Sequence, residues 1–300
     1  WSGTITPTKT GYAFSPKLRV YNNLRIDKPV DNFTALVSIS GNVGIAGASL
    51  SYTDGVAKKV TADGNGNYKI WVSNKWSGKV TPSKTGIVSF TPANRQYTNV
   101  MANLIGQNYK ANKLATFISA GPLDGFIREL AETSGTGGTI NAGSQAFMVG
   151  DDALNRELRA ILSFDTISIP DNAVIVSVTL KLKKFSNPGT NPFSTHGPLK
   201  VDLRKPFFGG SFGLQLDDFN AQASLNVAAV VDPTEVNGYY LAKFTNLSKS
   251  QINKTGLTQL RLRFTLDDNN DKIADYLAFY SGNVPDTKLS PALEIVYYVP

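Results

Sequence analysis

The sequence predicts an all-β chain: small antiparallel β-sandwich repeats followed by a larger jelly-roll β-sandwich. Three observations carry that prediction. A stretch recurs, because Trp1-Ser-Gly-Thr-Ile-Thr-Pro-Thr-Lys-Thr-Gly11 returns as Trp76-Ser-Gly-Lys-Val-Thr-Pro-Ser-Lys-Thr-Gly86. Apolar residues elsewhere fall in short alternating runs separated by Gly- and Asp-rich turns, which is the period of half-buried strands. Beyond residue 112 at least seven such runs follow, a number that suits two packed antiparallel sheets.

The repeat sets the domain borders. Its offset is 75 up to Gly11 and 76 from Phe14 onward, with Ser89 read as the extra residue, and 15 of the first 35 residues are identical between copies. Phe14/Phe90, Pro16/Pro92, Arg19/Arg95, Tyr21/Tyr97, Asn23/Asn99, Asn32/Asn108 and Ala35/Ala111 keep the register. Residues 1–35 thus read as the C-terminal part of one unit, 36–111 as a complete unit and 112–300 as the larger domain. A period of this length exceeds that of solenoids, so each unit is expected to be a small domain beaded on the chain. The counterpart of residues 36–75 is missing from the first copy. The chain is therefore expected to be a fragment, or a subunit whose first domain another chain completes.

Within 36–111 the runs Val37–Gly41, Ala48–Tyr52 and Tyr68–Val72 read as strands, separated by turns at Asp54-Gly55 and Asp63-Gly-Asn-Gly66. The pattern Ser40-Gly41, Gly47-Ala48, Thr53-Asp-Gly55, Thr61-Ala-Asp63 and Gly66-Asn-Tyr68 resembles the carboxypeptidase-regulatory-like, or prealbumin-like, repeats of bacterial surface proteins. That resemblance implies spacing, stalk-building or adhesion.

In the larger domain the runs are Ala160–Phe164, Ile175–Leu182, Leu199–Leu203, Tyr239–Phe244, Leu260–Leu266, Tyr276–Tyr280 and Ala292–Tyr297. Short helices are expected near Gln215–Ala223 and at Ser248–Lys254, the second with Ser248 as its cap and Gly256 past its end. Asp124-Gly-Phe-Ile127, Asn155-Arg-Glu-Leu-Arg-Ala-Ile-Leu-Ser-Phe164 and Ile169–Leu182 resemble a DNRLRE-type domain, as do Asp275–Gly282 and Pro291–Tyr298. The resemblance spans roughly 122–298. It implies a jelly roll of a bacterial extracellular protein and, for some members, carbohydrate binding.

Composition narrows the chemistry. The chain has no cysteine, so disulfides and thiolate chemistry are excluded. No run is long and apolar enough to cross a bilayer as a helix. The formal charge of +7 favours acidic polymers. Its densest cluster is Lys181, Lys183 and Lys184; alternation over Thr179–Lys183 puts Lys181 and Lys183 on a strand's wet face, and nucleic-acid motifs are lacking, so no nucleic-acid partner is expected.

No catalytic residue emerges. His196 is the sole histidine and has no nucleophile motif beside it. The glutamates Glu129, Glu132, Glu157, Glu235 and Glu294 show no paired-carboxylate pattern. Asp267, Asp268, Asn269, Asp271 and Asp275 crowd oxygen ligands of the kind Ca²⁺ takes, although the EF-hand spacing is lacking. A solvated turn is the alternative. Phe193, His196, Phe207, Phe208 and Phe212 sit in Gly/Pro-rich loops as candidates for contacting a polysaccharide or cell-surface glycan, by ring stacking or polar contact.

The reading is a non-catalytic structural or adhesive segment of a bacterial extracellular or cell-surface protein, with a structural Ca²⁺ and a glycan-contacting jelly roll. Two alternatives stand beside it. One is the substrate-targeting, carbohydrate-binding tail of a secreted hydrolase. The other is a filament subunit, a homopolymer joined through the incomplete N-terminal repeat by strand addition.

Overall fold

Strands form where the alternation is strongest, and the computed structural model describes residues 1–28 and 30–300. The chain divides into two compact units, Trp1–Lys113 and Leu114–Val299.

In the first unit, residues of the first copy form β1 (Gly3–Ile5), β2 (Ala13–Ser15) and β3 (Arg19–Tyr21). They are followed by β4 (Thr34–Asn42), β5 (Ser49–Asp54), β6 (Val56–Thr61) and β7 (Asn67–Ser73). The second copy gives β8 (Trp76–Ser83), β9 (Ser89–Thr91) and β10 (Arg95–Val100), and β11 (Lys110–Ile118) leads out of the unit. The order β10-β8-β5-β6 makes one sheet and β2-β4-β7 another. Between them lies a core that includes Val37, Ile39, Leu50, Ile70, Val72, Trp76, Val80 and Tyr109. Gly66 takes φ +80° to close the turn in which Asp63 Oδ1 accepts the N–H groups of Asn65 and Asn67 at 2.9 and 2.8 Å. A β-carbon there would press on the Ile45 backbone.

The two copies share their local geometry. β1 pairs with β3 (Gly3 opposite Tyr21) as β8 pairs with β10 (Gly78 opposite Tyr97). β2 pairs with the start of β4 as β9 pairs with the start of β11. Ala13 faces Leu36 as Ser89 faces Asn112, so the extra residue of the second copy lies in the Ile87–Val88 turn and not at Ser89. Trp1–Tyr21 and Trp76–Tyr97 ring centroids are 5.9 and 6.0 Å apart. Arg19 and Arg95 each donate to the main-chain oxygen of Asn32 or Asn108, at 3.0 and 2.7 Å. Asn23 and Asn99 adopt positive φ of 52° and 51°, which asparagine tolerates best among residues bearing a β-carbon.

The second unit contains β12 (Gly125–Glu129), β13 (Gly137–Asn141), β14 (Ala146–Asp151), β15 (Glu157–Asp165), β16 (Val174–Ser186) and β17 (Lys200–Arg204). These are followed by β18 (Leu225–Val231), β19 (Tyr239–Phe244), β20 (Leu257–Arg263), β21 (Tyr276–Tyr280) and β22 (Ala292–Tyr298). Two four-stranded sheets, β14-β21-β16-β19 and β15-β20-β17-β18, are joined at both ends by the β14–β15 and β18–β19 pairings. All eight strands are antiparallel to their neighbours and close on themselves in jelly-roll order. Closure removes the free edges that an open sheet would present. Buried residues such as Phe147, Leu162, Phe164, Leu180, Leu203, Leu262 and Phe279 fill the space between the sheets.

The helices differ from expectation. Over Gln215–Ala223 the structure has only a 3₁₀ turn, Leu216–Phe219, closed by a reciprocal bond between Gln215 and Asp218. The second helix, α2, is Asn246–Lys249, preceded in the chain by the single turn α1, Pro192–Thr195. Thr245 caps α2 by accepting from Ser248 N, so Ser248 lies inside the helix and not at its cap. Its hydroxyl donates to the Ala228 carbonyl and secures the turn to β18.

Candidate functional site

The motif Asn155–Arg159 proves to be a structural hinge between β14 and β15. Asn155 takes φ 55° and its Oδ1 accepts the Lys272 N–H at 2.9 Å. Asp152 receives the Leu154 and Arg156 N–H groups on Oδ1 and the Arg156 guanidinium, through Nε and Nη2 at 2.9 and 2.6 Å, on Oδ2. Burial pushes the Asp152 carboxyl up, but Arg156 and these N–H groups outweigh it and hold the group below its ordinary range. Burial raises the Glu157 carboxyl, against an Arg159 ion pair at 2.7 Å.

The acidic loop is tied to this hinge. Asp275 is fully buried; its Oδ1 accepts Thr190 N at 2.6 Å and its Oδ2 accepts Asn269 Nδ2 at 3.0 Å. Asn269 Nδ2 also donates to Asp271 at 3.0 Å. Asp267, Asp268 and Asp271 each accept a main-chain N–H from within the loop, from Asp268, Asn270 and Ile273 respectively. Burial, then Asp267, Glu132 and Asp151, raise the Asp268 carboxyl. Among the described residues no group of three or more His, Asp or Glu side chains is arranged to hold a metal ion. The five expected ligands thus meet as a hydrogen-bonded turn rather than as a ring of oxygens around one point.

The aromatic loops are mostly packing. Phe208 is fully buried with Ile127, Ile161 and Phe219, and Arg261 lies over its ring at 4.7 Å. Phe193 stacks on Tyr240 at 5.6 Å and meets Phe264 edge-on at 5.5 Å. The expectation that Phe193 and Phe208 present ring faces to a ligand is therefore corrected: a phenyl ring gains most by leaving water, and other side chains already occupy these ring faces. Phe207 is half-buried, and Phe212, 57% exposed, stands in solvent.

His196 is likewise corrected as a ligand contact, since it is fully buried. Its Nδ1 lies 2.7 Å from Thr195 Oγ1 and its Nε2 3.4 Å from Asp151 Oδ1. Hydroxyl, imidazole and carboxylate stand in line, yet both His196 and Asp151 are sealed from solvent, and the arrangement closes α1 against β14. Four of the five glutamates also have structural partners: Glu129 with Gly135 N at 2.6 Å, Glu157 with Arg159, Glu235 with Lys184 and Glu294 with Lys181, both at 2.9 Å. The lysine stripe is partnered too, as Lys183 donates to Asn237 O at 2.9 Å.

The feature that sequence reasoning missed is an arginine-lined cavity of about 480 Å³ on the β15–β20 face, between Arg159, Arg261, Arg263, Asn226 and the Asn220–Ala223 segment. Its signal was present in the alternation Leu260-Arg-Leu-Arg263, which puts two arginines on one face. Pairing of β15 with β20 brings Arg159 to the same row. The three guanidiniums face two carboxylates. Arg261 and Arg263 share Asp202, at 3.0 and 2.8 Å, and Arg159 holds Glu157. Burial pushes Asp202 up, but Arg263, the Val227 N–H and Arg261 outweigh it and keep its carboxyl below the ordinary range. Asp218, which also interacts by charge with Arg261, is a third carboxylate nearby that balances the third guanidinium once ionised, and the side-chain amides of Asn220, Gln222 and Asn226 edge the cavity. A cavity of this size accommodates a small ligand such as one or two sugar rings.

No family model matches the chain, and no curated protein matches it in sequence. Among solved structures it is similar to SpaD, a major pilin of Corynebacterium diphtheriae (10% identity, 92% of this chain and 69% of that one, TM-score 0.34). It is similar also to BcpA, the major pilin subunit of Bacillus cereus (10%, 88% and 69%, TM-score 0.31). A third is a DUF3823 family protein of Bacteroides ovatus (11%, 81% and 95%, TM-score 0.21). Likeness at this level carries no argument about what the chain does. Among the described residues no helix is long and apolar enough to cross a membrane.

Proposed function

We propose that the chain is a non-catalytic structural or adhesive segment of an extracellular or cell-surface bacterial protein, and that its jelly roll binds an acidic glycan in the arginine-lined cavity. The observation that carries this reading is the row of guanidiniums at Arg159, Arg261 and Arg263, set in a cavity edged by amides that can pair with hydroxyls. Carboxylated or sulfated sugars supply both the anion and the hydroxyls. The test is binding of the whole protein to immobilised polygalacturonate, with a neutral glucan as control. Retention that falls with salt and is lost in Arg263→Ala supports the reading; equal retention on both polymers, or on neither, removes it.

A structural Ca²⁺ at the 267–275 loop belongs to the same proposal. The like charge gathered around Asp268 supports it, as does the buried Asp151 Oδ2, which has no hydrogen-bond partner among the described residues. An ion would have to draw Asp151 and Asp267 toward Asp268. Calcium at 100 times its Kd should then stabilise the jelly roll by about 2.7 kcal/mol. An unchanged melting midpoint in calcium and in chelator removes the ion from the reading.

A second reading, assembly into a homopolymer through the first copy of the repeat, is favoured by exposure. Trp1 is 60% exposed where Trp76 is 7%, and Ile5 is 46% exposed where Val80 is fully buried. Concentration-dependent self-association in sedimentation supports it, and a monomer at all concentrations opposes it.

A further inference from the structure

A second convergence of carboxylates lies away from the 267–275 loop, where the glycine-rich segment after β17 meets the 3₁₀ turn Leu216–Phe219. Gly209 sits there at φ +58°. A β-carbon on it would press on Asp218 Oδ1 and stand 3.0 and 3.1 Å from the two carboxyl oxygens of Asp217. Three oxygens from two side chains thus come within 3.1 Å of one point, at a residue with no side chain to fill the space.

The two carboxyls differ in their surroundings. Asp217 is exposed. Asp218 is fully buried, and its Oδ2 accepts the Gln215 N–H at 2.9 Å. Its Oδ1, the atom aimed at Gly209 and Asp217, is also buried and has no hydrogen-bond partner among the described residues. A buried carboxylate oxygen without a donor is costly unless a charge of opposite sign meets it. Among the described residues no lysine or arginine forms an ion pair with either carboxyl. Arg261 acts on Asp218 only at longer range, because its Nη1 is given to the Asp218, Phe219 and Ala221 carbonyls. The group facing Asp218 Oδ1 across the space is instead a second carboxylate.

We propose that Asp217 and Asp218 bind a Ca²⁺ ion beside Gly209, Asp217 through both oxygens and Asp218 through Oδ1. The donors are all oxygen, which disfavours metals that select nitrogen or sulfur. Mg²⁺ demands a near-ideal octahedron, whereas Ca²⁺ accepts a bidentate carboxylate and fills a shell of six to eight oxygens with water. The ion must stand clear of the Gly209 Cα, and the exposed Asp217 carboxyl is the one able to close on it. Its role would be structural. The 206–213 segment sends Phe208 into the cluster with Ile127, Ile161 and Phe219, and Gln215 already ties that segment to the turn by accepting Gly210 N–H at 3.2 Å. The ion adds a second fastening between the same two pieces of chain and turns the repulsion of two carboxylates into a clasp.

The test follows hydrogen exchange of the intact 300-residue protein, first freed of divalent ions, as CaCl₂ is added. A site with two carboxylates should bind with a Kd on the order of 10⁻⁴ to 10⁻³ M. At about 10 mM calcium, exchange at amides of residues 207–219 should therefore slow by about tenfold or more. Asp217→Asn, a change at an exposed position, should keep the calcium-free melting midpoint and lose that protection. Asp218→Asn keeps an acceptor for the Gln215 N–H, so it should fold and lose the protection as well. Asp267→Asn, in the other acidic loop, should leave it in place. No protection up to about 10 mM calcium overturns the proposal, as does protection confined to the 267–275 loop. Protection that survives both Asp217→Asn and Asp218→Asn overturns it too. Equal protection by MgCl₂ at the same concentration would mean general screening of charge and would likewise remove the calcium site.

Discussion

Trp1 and Trp76 begin the same eleven-residue motif, bend over the same glycine and stack on the same tyrosine, yet one is in water and the other in a core. Gly3 and Gly78 each lie under the adjacent indole so closely that a β-carbon would strike the ring. The tilts against Tyr21 and Tyr97 are 43° and 37°. Local sequence therefore sets the local shape, down to the left-handed asparagines at 23 and 99, without help from the opposing sheet. Burial comes from elsewhere, from the 36–75 segment that packs on the second copy. The comparison separates what a motif encodes alone from what packing adds.

The largest break in that comparison is Trp76→Ala. Removing the ring leaves a cavity between Tyr52 and Tyr97 and leaves Thr53 O without its donor. The expected cost is about 3–5 kcal/mol, as for other buried aromatic truncations. That lowers the first unit's melting midpoint by more than roughly 10 °C in calorimetry. A loss below about 1 kcal/mol would mean the second copy is no better packed than the first.

Reading such shifts requires knowing which transition belongs to which unit, and pH separates them. Burial pushes the Asp124 carboxyl of the jelly roll up to about 7, only partly offset by the Ser163 and Gly282 N–H groups. Burial, together with Asp217 and against the Gln215 N–H, lifts Asp218 to about 6. Both folded values lie above the unfolded ones. Their contribution is therefore fully present below about pH 4 and is lost as pH rises through 6 and 7. For Asp124 the ceiling is about 4 kcal/mol. In the first unit Asp54 and Asp63 are shifted the other way. Burial pushes Asp54 up but Lys58 and the Ser73 N–H more than compensate, and the Asn67 N–H lowers Asp63, so their contribution is lost only below about pH 4. Going from pH 5 to pH 8 should lower the jelly roll's midpoint and leave the first unit's in place, and Asp124→Asn should flatten most of that slope. A parallel fall of both transitions would contradict the assignment.

How much of this could be read in advance depends on how local each signal is. The repeat register was legible because Trp, Gly, Pro and Asn mark fixed conformations. The jelly roll was legible because one wet face imposes alternation on runs such as Tyr239–Phe244, whose strand limits agree with the structure, while the short apolar run Tyr276–Tyr280, rich in aromatics, also read as a strand. Leu225–Val231 was not found as a strand because it lacks that period and holds two alanines and an asparagine in place of the aromatic residues that mark Tyr276–Tyr280. The arginine cavity was hidden for a different reason. Arg159 and Arg263 are more than a hundred residues apart in sequence and meet only through strand pairing. Phe208 and His196 look like loop residues available to a ligand, and nothing local says that Arg261 and Asp151 will cover them.

A sharper version of the comparison uses the glycines. Gly78→Ala drives a methyl group into a Trp76 ring that Tyr52 and Tyr97 hold in place, so the strain must be absorbed within the core. The expected cost is about 1–3 kcal/mol, in the range of overpacked cores. Gly3→Ala creates the same clash with a ring that can swing into water, and its cost should stay below about 0.5 kcal/mol. Equal losses at the two sites would show that the strain lies in the backbone, and that the opposing sheet does not decide it.

The exposed ring itself gives the most telling comparison. Trp1→Ala removes a ring that buries little, so the first unit's midpoint should move by less than the equivalent of about 1 kcal/mol. The indole still covers one face of Tyr21, and the Trp1 carbonyl keeps its bond from Leu24 N at 2.7 Å whatever the side chain. The small loss thus measures what the motif is worth with one edge open. A loss as large as that of Trp76→Ala would show that the indole is held by more than Tyr21, and that the opposing sheet is not what separates the two copies.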